Sequence, residues 1–155
     1  HNLMTIIDND YYNPEPIDVS AFQELIQEDF GGEVIIFVEP YMEEAFVLGE
    51  SIKEFIPSLP FGVFFFDDII TYAVLKQNTK LKAAIRDFIL GVSNSDVIHT
   101  VREFIENNMN SSLSAKKLYM HRNTLNYRIE NFIEATHINV KTFKGANAIY
   151  MLYKF

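Results

Sequence analysis

The chain has 155 residues, 48% of them hydrophobic, and a formal net charge of −8 at neutral pH. That length and apolar content can close one generous core or two small ones with no disulfide or metal staple. With no cysteine present, a disulfide framework, a Cys-based zinc site and a thiol nucleophile are all excluded.

The first residues, "HNLMTIIDNDYY", lack the basic-then-apolar pattern of a signal peptide. A start at His1 rather than Met suggests a piece of a longer chain or a residue left by a tag. "DVSAFQELIQEDF" sets Val19, Phe22, Leu25 and Ile26 on one helical face, with Asp18 as cap and Gly31 and Gly32 as the stop. "EVIIFVEP" and "EAFVLGE" are short apolar runs that read as a strand pair, and "GVFFF" as a third strand. The longest apolar run, "LPFGVFFFDDIITYAVL", is broken by Asp67 and Asp68 and falls short of the ~20 apolar residues of a membrane span. No membrane partner is expected, and a cytoplasmic protein is.

From Asp67 the pattern turns helical. Asp67 or Asp68 is placed to cap a helix bearing Ile69, Ile70, Ala73 and Val74. Thr79 is placed to cap the next, with Leu81, Ile85, Phe88 and Ile89 inside and Gly91 at its end. "VSNSD" is the candidate boundary. Beyond it, 96–108 carries an apolar stripe of Val97, Ile98, Val101, Phe104 and Ile105. Ser112 is the expected N-cap of a short helix over 113–119, followed by a longer helix over about 122–135 and a last one with Ala146, Ile149, Tyr150, Leu152 and Tyr153.

Charge is distributed unevenly. Residues 1–95 hold 16 acids against 5 bases, whereas 96–155 hold 5 acids against 8 bases. Such asymmetry points to a polyanion-binding half joined to a half with another task. Within 115–132, "AKKLYMHRNTLNYRIENF", the single acid is Glu130.

A short helix, a tight turn and a second helix form the helix-turn-helix plan, in which the second helix enters the major groove. Ala115 is small where the helices must approach, and Leu118, Met120 and Leu125 are spaced to fill the wedge. Projection at roughly 100° per residue places Leu125, Ile129, Phe132 and Ile133 inward, and Asn123, Asn126, Tyr127 and Glu130 outward. Arg pairs bidentately with guanine and Asn with adenine. Arg122, Asn123, Asn126 and Tyr127 are therefore the expected base contacts. Lys116, Lys117, Thr124 and Arg128 are the expected phosphate contacts, and Ser112, Ala115 and His121 are expected to position the helices.

The segment "SAKKLYMHRNTLNYRIENFIEATHINV" resembles the C-terminal helix-turn-helix of PucR/CdaR-type regulators. The likeness rests on Ser114, Ala115 and Leu118, the run His121 to Leu125, then Tyr127 and Arg128, and it extends over roughly 64–155. It implies a bacterial-type transcriptional regulator that binds double-stranded DNA as a homodimer or higher oligomer, under control of a region further N-terminal and a small-molecule effector. Tyr119 departs from the glycine that many helix-turn-helix turns carry. "GGEV" at 31–34 invites comparison with the cyclase-like domain of some members, but it lacks the paired acids and lies too close to the C-terminal module.

Other readings of these residues are structural. His121, without ligand spacing to His1, His99 or His137, suits a helix cap better than a metal site. Lys116 and Lys117 can be a solvated helix face, and Tyr127 can pack on its neighbours. Glu43–Glu44 reads as a turn between strands and Asp67–Asp68 as a cap, and the Phe-rich run 61–66 reads as core. No nucleophile, base and orienter can be assembled, so neither an enzyme nor a cofactor is expected. The expected fold class is α+β: a small N-terminal strand-containing region followed by an all-α C-terminal helix-turn-helix domain. The expected division is an acidic regulatory or dimerisation region at 1–92 and a DNA-binding domain at 93–155. The competing function is a helical oligomerisation module that does not bind DNA.

Overall fold

The computed structural model describes residues 18–32, 34–40, 42 and 45–155. They fall into two units, His1–Val34 and Ile35–Phe155. In the first, helix α1 spans Val19–Phe30. The Asp18 carboxylate accepts from the backbone N–H of Ser20 and Ala21, and Gly31 closes the helix in the left-handed conformation, as expected. Leu25, expected on the inner face, is exposed. The side chain of Phe22, and residues Glu33, Glu43 and Glu44, lie outside the described residues.

The second unit opens with strand β1 (Ile35–Phe37), helix α2 (Gly49–Phe55) with a 3-10 turn at Ile56–Ser58, and strand β2 (Gly62–Phe64). The two strands pair in parallel, Ile35 opposite Gly62 and Phe37 opposite Phe64. Among the described residues, the expected pairing with "EAFVLGE" does not occur. That segment instead inserts Phe46 edge-to-face against Phe66 and Phe88, at centroid separations of 5.1 and 5.6 Å. Aromatic pairs in this geometry gain more than area burial alone, so the apolar run serves as an anchor and the strand partner lies after α2.

Six helices follow: α3 (Phe66–Leu75), α4 (Thr79–Val92), α5 (Ser95–Glu106), α6 (Ser111–Lys117), α7 (Arg122–Thr136) and α8 (Phe143–Lys154). Among the described residues, the second unit is thus strand-containing at first and wholly helical after β2, an α+β arrangement. The predicted starts need three corrections. Helix α3 starts at Phe66, and Asp68 Oδ2 accepts from Phe65 N at 3.0 Å from inside the first turn. Asn78 rather than Thr79 caps α4, which runs on past Gly91 to Val92. Asn110 rather than Ser112 caps α6, accepting from Leu113 N at 3.0 Å. Asn94 caps α5 in the same way. In each case the Asn carbonyl reaches the N–H three residues on, a geometry in which Asn is among the best caps.

The expected inward residues of α3, α4 and α5 are buried, Ile105 only partly. Helix α3 packs on α8 and α4, while α5 packs on α7 and α8. Ser93 and Asn94, the candidate boundary, sit between α4 and α5 inside this compact unit, because α4 also packs on α7. Of the Phe-rich run, Phe64 and Phe66 are buried while Phe61 and Phe65 are exposed. Gly145, in the first turn of α8, lets the chain close tightly: an added Cβ would lie 2.1 Å from the Asn139 carbonyl oxygen.

Candidate nucleic-acid interface

Helices α6 and α7 are joined by Leu118–His121. Ala115 is buried where the two helices meet, and Leu118 and Met120 pack against the core around fully buried Leu125. The turn closes α6 by two reverse bonds, from Met120 N to the Ala115 carbonyl at 3.0 Å and from Tyr119 N to the Lys116 carbonyl at 3.3 Å. This is the Schellman pattern, in which the residue after the cap takes a left-handed conformation. That residue is Tyr119, at φ 53°. His121 caps α7: its Nδ1 accepts from Asn123 N at 3.2 Å, satisfying one orphan N–H of the first turn.

The buried stripe of α7 is Leu125, Ile129 and Phe132, with Ile133 partly buried. Arg122, Asn123, Thr124 and Tyr127 are exposed and Asn126 is half-buried. Lys116 and Lys117 are exposed on the last turn of α6. Ser112, a surface residue in the first turn of α6, has no capping bond; Ser114 is the buried serine, donating to the Asn110 carbonyl at 2.8 Å. Arg128 turns elsewhere. Its guanidinium donates to Thr100 Oγ1 on α5 at 3.0 Å, and Thr100 in turn donates to the Asp96 carbonyl at 2.8 Å. Arg128 thereby ties α7 to the helix behind it, a contact that sequence spacing did not signal because Thr100 lies 28 residues away.

The cations of the chain separate into two sets. Arg86 donates through Nε to the Leu152 carbonyl at 3.0 Å, satisfying the last turn of α8. Lys144 pairs with Asp68 at 3.0 Å, which raises the lysine pKa and links the starts of α8 and α3. Arg102 lies over the Tyr153 ring at 5.2 Å, and burial raises the phenol pKa, so Tyr153 is neutral there. Lys141 pairs with Glu130, neutralising the acid of α7 that lies nearer the α6–α7 turn; Glu134, one turn further on, is exposed as well. Among the described residues, Lys116, Lys117 and Arg122 engage no hydrogen bond, ion pair or aromatic ring (Lys76 is the other such cation). All three flank one turn. There is no group of three metal-ligating side chains among the described residues, and no helix among them is long and apolar enough to cross a membrane.

Residues 97–154 match the family model described as the PucR C-terminal helix-turn-helix domain. A 60-residue segment is 50% identical to the uncharacterized protein YxkF of Bacillus subtilis, covering 39% of this chain and 20% of that protein. A 59-residue segment is 32% identical to the proline-responsive transcriptional activator PutR of the same organism, covering 38% of this chain and 14% of that protein. The match thus spans a fifth or less of either relative. No solved structure matches the chain significantly. With α6, its Schellman turn and α7 falling inside the matched range, the C-terminal part of this chain is a helix-turn-helix domain of the PucR C-terminal type.

Proposed function

We propose that the protein containing this chain is a cytoplasmic transcriptional regulator that places α7 in the major groove while α6 crosses the phosphate backbone. One observation carries the reading: Lys116, Lys117 and Arg122 converge on the α6–α7 turn, exposed and without described intramolecular partners, while Glu130 on α7 is held by Lys141. Arg122 and Asn123 lie in the first turn of α7, the part of a recognition helix that reaches base edges, and Asn126 and Tyr127 follow one turn later. Lys116, Lys117 and Thr124 face phosphates in this arrangement. Arg128 orients α7 through Thr100, and its remaining N–H donors are those left for a phosphate.

The rest of the proposal concerns the whole protein. Residues 1–92 act as the regulatory or dimerisation region. A homodimer or higher oligomer sets two α7 helices one turn of DNA apart, about 34 Å. PutR is described as proline-responsive, and a small-molecule effector is proposed here on that likeness, without assigning its identity.

Fluorescence anisotropy with duplexes recovered by binding-site selection tests the reading. Affinity should fall steeply between low and moderate salt, because each neutralised phosphate releases counterions. Absence of binding at low salt, or a salt-independent signal, would reject it in favour of an oligomerisation module.

A further inference from the structure

The geometry points to Tyr119 as a DNA-backbone contact, its hydroxyl donating to a phosphate oxygen beside the site gripped by Lys116 and Lys117. This rests on the DNA-binding reading above and adds a residue to it. Three observations converge on the position. First, Tyr119 occupies the left-handed position of the Schellman turn, at φ 53°, where glycine is the favoured residue and a bulky side chain is strained. Second, that side chain stabilises nothing within the fold: Tyr119 is 98% exposed, the most exposed large apolar or aromatic side chain described. Third, it stands between the two free lysines that end α6 and the His121 cap that starts α7.

Gln77, Asn108, Met109 and His137 take the same conformation at other helix ends, so what sets Tyr119 apart is a large aromatic side chain held there fully exposed, with no contact to the core. The turn of a helix-turn-helix joins the helix that crosses the backbone to the helix that enters the groove, so it lies over phosphates. Tyrosine is among the side chains that donate to phosphate oxygens. Its hydroxyl is neutral, which separates its signature from that of the lysines: affinity is lost without a change in counterion release.

The test uses the full chain and two fluorescent duplexes, one recovered by selection with the wild type and one of unrelated sequence. Tyr119→Gly and Tyr119→Phe should each weaken binding to both duplexes by the same factor, about tenfold, as for one lost hydrogen bond to a charged group. The salt slope should stay at the wild-type value, while Lys117→Ala lowers it by about one. The melting temperature of Tyr119→Gly should be unchanged or higher, since glycine relieves the left-handed strain. Retained affinity in both variants would overturn the inference, as would a loss confined to the selected duplex, which marks a base contact. If Tyr119→Gly folds poorly, Tyr119→Phe alone decides, because it removes only the hydroxyl. A wild-type chain that binds neither duplex would overturn the DNA-binding reading itself. Wild-type binding with unaffected variants overturns only the role of Tyr119.

Discussion

The α4–α8 pair and the α6–α7 pair handle positive charge in opposite ways. On α4 and α8 the cations are spent inside the molecule: Arg86 on the Leu152 carbonyl, Lys144 on Asp68, Lys154 over Tyr150. On α6 and the start of α7, Lys116, Lys117 and Arg122 are left to solvent. The two pairs look alike in composition, since both mix lysine or arginine with apolar residues. What marks an interface for a polyanion is charge that the fold leaves unpaired, because a cation already hydrogen-bonded to a carbonyl or carboxylate would have to give up that partner to take a phosphate.

Gly145→Ala strikes the structural pair hardest. The added Cβ would meet the Asn139 carbonyl oxygen at 2.1 Å and its carbon at 2.5 Å, both backbone atoms that cannot rotate away. A loss of about 3 kcal/mol is expected, visible as a melting temperature lower by several degrees. A neutral result would show that the 137–142 loop is free to shift and that α8 is not fixed by this contact.

Thr100→Val probes the link between the two behaviours, since it removes the partner of a half-buried cation. Stability should fall by about 1–3 kcal/mol, the cost of leaving such a group unsatisfied, and urea denaturation reads it directly. DNA affinity should also drop with the salt slope unchanged. A smaller slope would instead mean that Arg128 contributes mainly as a phosphate contact.

Arg122→Ala should leave the melting temperature alone and cost about 1–3 kcal/mol of binding to the selected duplex, the scale of one good base contact. Equal losses on selected and unrelated duplexes would move Arg122 from base reading to backbone contact. Lys117→Ala should give the complementary result, a weaker effect shared by all sequences.

The smallest effect is a pH dependence on the structural side. Burial, and next the neighbouring Asp68 carboxylate, raise the Asp67 pKa. Between the ordinary carboxylate value and the raised one, the folded chain holds a proton that the unfolded chain has lost. Stability therefore declines as pH rises through that window. Asp67→Asn should flatten this part of the stability profile, and an unchanged profile would show that Asp67 is not its source.

Much of this was legible without coordinates wherever the signal was local. The stripe Leu125, Ile129 and Phe132 is buried because helical periodicity puts those residues on one face, and Asp18 caps α1 because its carboxylate reaches N–H groups two and three residues on. Caps were misplaced by one or two residues at Asn78 and Asn110, where neighbouring Thr or Ser offers similar chemistry and packing of the helix selects among them. The partner of β1 was missed for a different reason. "EAFVLGE" and "GVFFF" are both short apolar runs, and only the aromatic cluster around Phe46 assigns the first to the core and the second to the sheet.

The sequence by itself determined the order of helices from α3 onward, the helix-turn-helix resemblance and the inner and outer faces of α7, all consequences of periodicity, caps and short motifs; helix α2, which begins within a run that reads as a strand, is not among them. The tertiary structure decided which cations are free, that Arg128 reaches back to Thr100, and that a Cβ at Gly145 would meet the Asn139 backbone. Those facts depend on residues far apart in the chain, such as Arg86 and Leu152, being brought within bonding distance. No local pattern encodes that meeting.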